Sequence, residues 1–387
     1  MEPRLNTPAI RAGHSCATDA RQAVAEFHAA VHQPDMEWVQ FFCSSEYDLD
    51  ALAAEMRGLF DGVQVVGCTT AGEIGPAGYR SHSLSGFSLG CGDQVVVSAL
   101  YTDLAHFDVR EGHRLTQGLL QQLEHRAPQA DASNTFALLL IDGLSIREEP
   151  VAHALQHALG DIGLFGGSAG DDQHFVRTHV YHGGAFHANS AVLTLMHSRF
   201  AFSLFRAQHF VASDERLVVT EADAPRRIVR EINGRPAAEE YARLVGCRAD
   251  QLDAARFAAA PVVVMLGGTD YVRSIQSANP DGSLTFYCAI EEGVVFRVAH
   301  GHDLLHNLKQ TFARLEADIG PLQLVIACDC VLRNMEITRN QTKPEVARWL
   351  TDHHVVGFSS YGEQFRGVHL NQTCTGIALG APKACPV

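Results

Sequence analysis

A strand-and-bend motif that occurs three times is the feature that most limits how this chain can fold. Residues 65–73 read VVGCTTAGE and residues 355–363 read VVGFSSYGE, and the two copies stay in register without a gap as far as Gly90 and Gly380. A looser third copy, LFGGSAGD at residues 164–171, aligns if one residue is deleted. Each copy predicts an apolar strand that runs into a bend rich in Gly, Thr or Ser and ends in an acid. This internal repeat indicates a chain built from repeated structural units.

A further strand and a helix are predicted before each copy. The helical patterns are at residues 49–60, 151–159 and 345–350, and the apolar runs that precede them are at residues 39–43, 138–141 and 324–328. Short apolar runs alternating with helices are typical of buried, largely parallel strands with crossover helices. The sequence therefore predicts an α/β fold of two related halves, built from repeated strand-helix-strand units with mixed, largely parallel sheets.

Composition excludes several classes of partner. The 387 residues are 46% hydrophobic and 19% charged, which is typical of a soluble globular protein. A net charge of −14, without a basic stripe, argues against binding to nucleic acid or an anionic membrane.

The longest apolar run, residues 257–267, contains Pro261 and is too short to cross a bilayer. No secretory signal is recognisable in residues 1–19, so we expect a cytoplasmic location.

Histidine is the one residue type in clear excess. The chain has 21 histidines, and this excess favours a metal or haem site without identifying its ligand. The ten cysteines form no C-x-x-C pair, and we expect most of them to be buried and reduced. Cys328 and Cys330, on one face of a predicted strand, are a weaker candidate for a thiolate or redox pair.

Four long motifs together resemble the FIST sensory family. They are VGCTTAGE at residues 66–73, NGRPAAEEY at 233–241, CDCVLR at 328–333 and GFSSYGE at 357–363, the last followed by HLNQTCTG at 369–376. The resemblance covers nearly the whole chain, with a FIST N-terminal domain at residues 1–230 and a FIST C-terminal domain at residues 231–387. It implies a bacterial, cytoplasmic ligand-sensing module that works with signal-transduction proteins.

The chain contains no recognisable kinase, receiver or cyclic-nucleotide domain. It is therefore similar to stand-alone members of the family, the nitric-oxide-sensing haemoproteins called NosP, which pair with a histidine kinase. The resemblance implies a protein that binds haem, senses nitric oxide, regulates a partner histidine kinase or other signalling protein, and catalyses no reaction itself. A homodimer is compatible with this prediction. The alternative is a sensor of a small organic ligand, such as an amino acid, without haem.

The three bends, at residues 67–73, 166–172 and 357–363, are the predicted ligand site. Glycine-rich bends at the ends of strands let a ligand approach the backbone closely, although such glycines also serve packing alone. Gly72, Gly362 and Glu363 are the candidate binding residues of these bends. We expect the bends to converge on one pocket, in which the alternative organic ligand would be held by the bends and Arg333.

A haem needs an apolar slot, a neutral histidine on the iron and a cation near the propionates. His369, just beyond the third bend and within the motif of the family resemblance, is the first candidate for the iron ligand. His14 is the second and His82 the third. The candidate propionate partners are Arg333, Arg273 and Arg80.

Two further patterns favour other chemistry less strongly. His302 and His306 are four residues apart on a predicted helix, a spacing that zinc can use, but no acid or cysteine completes the set. Residues 166–170, GGSAG, match G-x-S-x-G, whose Ser168 would need a strand-to-helix bend to act as a nucleophile. A strand pattern follows instead, so hydrolysis is a minor alternative.

Overall fold

The computed structural model describes residues 10–90 and 94–382. The chain forms two compact units, of which unit 2 comprises Ala207–Gln310 and His369–Thr373 and unit 1 comprises the remainder. Unit 2 therefore interrupts unit 1 in sequence. The predicted segments 1–230 and 231–387 rest on sequence resemblance rather than on spatial contacts, so that boundary stays a prediction.

Unit 1 begins with a strand-helix-strand repeat that continues into a hairpin. Its elements are β1 (Ile10–Ser15), α1 (Ala20–Val31), β2 (Met36–Ser44), α2 (Leu49–Leu59), β3 (Gln64–Thr70), the hairpin β4 (Glu73–Gly75) and β5 (Gly78–Arg80), and β6 (Leu84–Gly90). Asp19 caps α1 by accepting a hydrogen bond from Gln22 N at 2.9 Å. Val24, Phe27 and Val31 form the buried apolar face of this helix, which fixes it on the sheet.

The second repeat has the same order of elements. They are β7 (Val95–Tyr101), α3 (Val109–Arg126), β8 (Thr135–Ile141), α4 (Glu148–Leu159), β9 (Gly163–Ser168), the hairpin β10 (Val180–His182) and β11 (Ala185–His187), and β12 (Ala191–His197). Every residue of β8 and β12 is buried, as their continuous apolar sequences require. A third repeat then begins with β13 (Phe200–Ala207).

Unit 2 is a mainly antiparallel sheet with two short helices. Its elements are β14 (Phe210–Ala212), β15 (Leu217–Asp223), β16 (Ile228–Ile232), β17 (Arg235–Pro236), α5 (Ala237–Leu244), α6 (Ala254–Ala259), β18 (Val262–Leu266), β19 (Thr269–Arg273), β20 (Ile275–Ala278), β21 (Leu284–Phe286) and β22 (Val295–Gly301). The strand order is β19-β18-β22-β15-β16-β21-β20, with β14 beside β22 and β17 beside β16. Tyr241, Phe257 and Phe286 lie in its apolar core.

The third repeat then resumes and belongs mostly to unit 1, although the first residues of its first helix and part of its final hairpin belong to unit 2. Its elements are α7 (Leu304–Ile319), β23 (Leu324–Cys330), α8 (Val331–Arg339), α9 (Lys343–Asp352), β24 (Val355–Ser360), the hairpin β25 (Glu363–Phe365) and β26 (Val368–Leu370), and β27 (Cys374–Pro382). Short 3₁₀ helices occupy Leu104–His106, Ala224–Arg226 and Ala249–Gln251. Among the described residues, no helix is both long enough and apolar enough to span a bilayer.

Each repeat forms one sheet, and each sheet receives a hairpin from another repeat. The sheet orders are β1-β6-β2-β3-β10-β11, β7-β12-β8-β9-β25-β26 and β13-β27-β23-β24-β4-β5. In each sheet the two strands of the strand-helix-strand unit pair in parallel, and the strands around them are antiparallel. The predicted α/β class and its repeated strand-helix-strand units are confirmed. The structure confirms the three predicted copies of this unit and adds that the repeats exchange their hairpins in a cycle.

The inner faces of the three sheets share one apolar core. Phe42 and Phe358, from the first and third sheets, stack with their ring centroids 4.7 Å apart, and Phe165 of the second sheet belongs to the same cluster. The opposite faces of the first two sheets are covered by α1 and α2 and by α3 and α4. The carboxyl ends of the parallel strands therefore point to one common region, where the repeated bends lie.

Candidate functional site

The three bends are bonded directly to one another. Ala71 N donates to Ser359 O at 2.9 Å, and Ser359 N donates to Gly72 O at 2.7 Å. The equivalent bonds are Tyr361 N to Ser168 O (3.1 Å), Ser168 N to Gly362 O (2.8 Å), Gly170 N to Thr69 O (2.9 Å) and Thr69 N to His179 O (3.0 Å). We call this closed set of backbone hydrogen bonds the central ring. The predicted convergence of the bends is confirmed.

Within residues 10–90 and 94–382, the backbones of the central ring pack against one another and leave no ligand cavity between them. The side chains of Thr69, Ser168 and Ser359 are fully buried, so no space large enough for water adjoins them. A Cβ atom added to Gly170 would lie 2.8 Å from Ala71 N, which shows how closely the backbones approach. The N–H groups that we expected to bind a ligand bind the neighbouring bends instead. The predicted pocket is therefore not formed between these described residues.

A buried carboxylic acid follows the ring in the first and third repeats. Glu73 accepts hydrogen bonds from the hydroxyl groups of Thr70 at 2.5 Å and Ser83 at 2.6 Å, and from Ser83 N at 3.1 Å. Burial raises the pKa of Glu73 to about 8, against the opposing effect of these hydrogen bonds. Glu363 occupies the equivalent place and accepts from the Ser360 hydroxyl at 2.6 Å. These acids hold the bends in shape, and Glu363 stays a predicted ligand.

The second repeat departs from this pattern. In strand register, Glu73 lies opposite Phe358 and Glu363 opposite Gly167, whereas Val180 lies opposite Cys68. Val180 therefore stands where the other repeats have glutamate, and residues 171–178 are an insertion, which we call the inserted loop. The alignment that matched Asp171 to the two glutamates is wrong, because one deletion in the sequence concealed a longer insertion.

Asp171 organises the inserted loop. Its carboxylate accepts hydrogen bonds from the backbone N–H groups of Phe175 (2.9 Å), Val176 (2.8 Å) and Arg177 (2.8 Å). The Tyr361 hydroxyl also donates to Asp171, and the Tyr361 ring stacks on Phe175 at 4.5 Å. The inserted loop therefore has a fixed shape and is bound to the third bend.

Arg333 is buried beside the central ring. Its Nε donates to Asp329 Oδ1 at 2.6 Å, and the Tyr79 hydroxyl donates to the other oxygen of the same carboxylate. Neighbouring Asn334 donates to the Ser359 hydroxyl at 3.1 Å. This guanidinium is fully buried and already paired with Asp329, so no part of it is exposed to a ligand carboxylate or propionate. The proposed role of Arg333 in binding stays a prediction that this geometry does not favour.

The two leading candidates for the iron ligand lie in different units. His369, in unit 2, is 2% exposed, and its carbonyl accepts from Arg273 Nη1 at 2.6 Å. His14, in unit 1, places Nε2 3.1 Å from Cys16 Sγ and buries Nδ1. Burial, and then the charge of Arg80, lower the pKa of His14, so its ring is neutral at pH 7. Neither imidazole offers an open nitrogen to a haem iron in this arrangement.

None of the weaker candidates has the arrangement that its predicted chemistry requires. His302 precedes α7, which begins at Leu304, so the predicted helical pairing of His302 with His306 is wrong. Cys328 and Cys330 are buried on β23, and burial raises the pKa of Cys328, which makes it a poor thiolate. Ser168 is fully buried and is followed by the inserted loop rather than by a helix. It does not form a nucleophile elbow.

An apolar cleft of about 520 Å³ lies between the first and third sheets of unit 1. Its lining residues are Ile10, Ala12, Gly75, Pro76, Leu322, Gln323, Leu324, Thr351, His354, Val355 and Val356. This volume is in the range of small-molecule sites, roughly 300–1,000 Å³. Most of its lining side chains are aliphatic, polar atoms contribute about as much of its wall as apolar atoms do, and His354 is an exposed histidine at its edge. These residues fit a haem better than the surroundings of His369 or His14 do.

Sequence reasoning did not select His354. It directly precedes Val355, the first residue of β24, and so lies immediately before the motif copy at residues 355–363. Its backbone has a positive φ of 54°, which is uncommon for a non-glycine residue. The only sequence feature that could have indicated His354 was the pair of adjacent histidines, His353 and His354, directly before a strand of the repeat. Nothing in the sequence indicated that β1 would lie across the cleft from it.

Comparisons with known proteins bear on family and fold. No curated protein matches the chain. One solved structure to which it is similar is that of cyanuric acid hydrolase, described as an evolutionary innovation by structural concatenation. The identity is 12%, the match covers 97% of this chain and 100% of the other, and the TM-score is 0.38. This similarity is too weak to assign a reaction.

The same comparison corrects one prediction. The family resemblance predicted a protein that catalyses no reaction, whereas the similar solved structure is that of an enzyme. We therefore withdraw the prediction that this chain is not an enzyme. No reaction takes its place.

The family is established independently of that structure. The model of the FIST N domain matches residues 37–235, and the model of the FIST C domain matches residues 237–366. Together they cover most of the chain, and the predicted resemblance is confirmed. The chain belongs to the FIST family, whose domains are sensory domains of signal transduction.

Proposed function

We propose that this FIST protein is a cytoplasmic sensor that binds haem in the apolar cleft of unit 1, responds to nitric oxide and regulates a separate histidine kinase. One observation carries the choice of site. The cleft combines an aliphatic lining with His354, an exposed histidine with no side-chain hydrogen bond among the described residues. An apolar slot and an available imidazole are two of the three features that haem binding requires, and the described residues lining this cleft include no lysine or arginine for the propionates.

Different residues of the cleft would contact different parts of the haem. His354 would supply the imidazole nitrogen for the iron, while Ile10, Leu324 and Val356 would contact the macrocycle and exclude water. Gln323 and Thr351 are the polar groups of the lining. When bound, haem supplies an iron that accepts diatomic gases. Ligation by His354 replaces ligation by His369 or His14 as the hypothesis favoured by the geometry.

The cleft is connected to the central ring through one strand. Val355 and Val356 line the cleft, and three residues later on the same strand, β24, Ser359 exchanges two backbone hydrogen bonds with the first bend. A ligand that moves the beginning of β24 therefore acts on a strand whose other end is fixed to another repeat. We propose that this strand carries the signal to the surface recognised by the kinase. A ligand can bias such an element only through different affinities for its two positions.

The experiment is a titration of the purified full chain with haem, followed by absorption spectroscopy. We expect the wild-type protein to give a saturable Soret band that His354→Ala shifts and weakens by at least tenfold in affinity. His125→Ala, on the exposed end of α3, is the matched control, and His369→Ala and His14→Ala test the two earlier candidates. A band that His354→Ala leaves unchanged would reject the ligand assignment. A wild-type protein without a saturable band would reject haem binding.

The gas and the partner are tested on the loaded protein. Nitric oxide should change the Soret band of the wild-type protein. The loaded protein should then change the autophosphorylation rate of its histidine kinase, and nitric oxide should alter that effect. If the kinase rate is the same with and without the loaded protein, the proposed output is incorrect.

A further inference from the structure

We propose that Glu46, His82 and Asp172 form a binding site for a divalent transition-metal ion, separate from the apolar cleft. One ligand atom from each residue lies within 4.8 Å of the other two, and His82 Nδ1 is 2.8 Å from Glu46 Oε2. Ligands at about 2.1 Å from a tetrahedral zinc ion lie roughly 3.4 Å from one another. A small movement of exposed side chains would bring the three groups to that geometry.

The three residues come from distant parts of the chain and meet because of the fold. Glu46 follows β2, His82 follows β5, and Asp172 belongs to the inserted loop of the second repeat. Asp172 N donates to Thr70 O at 3.0 Å, so the loop is fixed to the first bend at this residue. Because Asp171 uses its carboxylate on the loop's own backbone, the loop keeps its shape without help from the Asp172 side chain.

The Asp172 carboxylate lacks the partner that its position calls for. Oδ2 is inaccessible to water and makes no hydrogen bond with any described residue. A buried carboxylate oxygen without a partner is costly, so such atoms indicate a missing cation or water. A metal ion would supply the missing partner.

The neighbouring cleft provides space and a negative field. It measures about 500 Å³, and its lining includes Glu46 itself and the acids Asp48, Asp50 and Asp171. The basic or titratable residues that line it are His174, Arg177 and His179. Four carboxylates facing one arginine favour a divalent cation over an anion.

The donor set narrows the choice of metal. One imidazole and two carboxylates suit zinc, manganese or iron, and lack the thiolates that would select copper(I). With three protein ligands, a fourth coordination position remains open. Such a site holds an exchangeable water or a small ligand, as sites with an open coordination position do.

The test is a Co²⁺ titration of the metal-free full chain, read by the d–d absorption bands of the ion. We expect one saturable site in the wild-type protein, without a thiolate charge-transfer band because no cysteine belongs to the set. Asp172→Asn and Glu46→Gln should each weaken binding at least tenfold. Glu46 is exposed, so its variant stays folded and remains a valid test even if Asp172→Asn does not.

The control is His174→Ala, which removes a histidine from the same cleft but not from the proposed ligand set. It should leave Co²⁺ affinity within about twofold of the wild-type value. Equal loss in His174→Ala and Glu46→Gln would show non-specific binding to the acidic cleft and would overturn the proposal. Unchanged affinity in Glu46→Gln, or bands typical of thiolate ligation, would overturn it as well.

Discussion

Glu73→Gln should make the stability of this protein less dependent on pH, because the buried acid is ionised only at a cost. The pKa of Glu73 in the folded chain is about 8, against an ordinary value of 4.5. Since the folded pKa is raised, the stabilising contribution is fully present below pH 4.5 and is lost as the pH rises through 8. Between these limits, each rise of one pH unit lowers the free energy of unfolding by about 1.4 kcal/mol. From pH 5 to pH 9 the loss is therefore about 4 kcal/mol.

The glutamine variant avoids this loss because it carries no proton that the unfolded chain would release. Its carbonyl can accept from Ser83 N and its amide can donate to the Thr70 hydroxyl, so the hydrogen bonds of the acid are retained. Denaturant unfolding should show that the free energy of unfolding of Glu73→Gln, relative to that of the wild-type protein, rises by about 3 kcal/mol between pH 5 and pH 8. Above pH 8 this difference should become constant. Glu124→Gln, on an exposed face of α3, is the matched control. A difference between wild type and Glu73→Gln that stays constant from pH 5 to pH 9 would refute the reasoning.

Three further substitutions test the fold around the central ring. Gly357→Ala should destabilise unit 1 by about 3 kcal/mol or more, because the new Cβ atom would lie 1.9 Å from Ala327 O. The control is Gly118→Ala, whose new Cβ atom lies in open space on α3 and should stabilise the folded protein by up to about 1 kcal/mol. Thermal unfolding measures both effects. Arg333→Leu should cost about 3–5 kcal/mol by leaving Asp329 buried without its partner, and adding Asp329→Asn should restore part of this; no recovery in the double variant would contradict the assignment. Tyr361→Phe should cost about 1–3 kcal/mol and speed amide hydrogen exchange in the inserted loop, and unchanged exchange at Val176 would contradict the role given to its hydroxyl.

The repeated elements were the most predictable part of this fold. Helices predicted at residues 49–60 and 151–159 correspond to α2 and α4, since their apolar spacing is set by the sheet they cover. The strands of the repeats are fully buried, so their sequences are continuous apolar runs that are easy to recognise. Local pattern sufficed wherever a segment packs against its own repeat.

Hairpin exchange was beyond sequence reasoning because a hairpin has the same pattern whichever sheet it joins. The register of Ile74 against Gly357 is a contact between residues far apart in sequence, and no periodicity records it. The predicted pocket failed for the same reason. Free N–H groups on a glycine-rich bend imply a ligand only if no other part of the chain occupies them, and here Ala71 N donates to Ser359 O and Ser359 N donates to Gly72 O. His354 was missed because its importance depends on Ile10 and Leu322, which line the same cleft.

The proposed metal site lies where the threefold repetition of unit 1 is broken. Three identical repeats would give three identical bends, each closed by a glutamate, and a closed ring of this kind has no place for a ligand. In the second repeat Val180 replaces that glutamate, and the inserted loop brings Asp172 to Glu46 and His82. The cleft beside His354 instead lies where the edge of the first sheet meets the start of the third. The buried ring therefore makes the repeated part of unit 1 rigid, and both proposed sites lie outside it, one at an insertion and one at a junction between repeats.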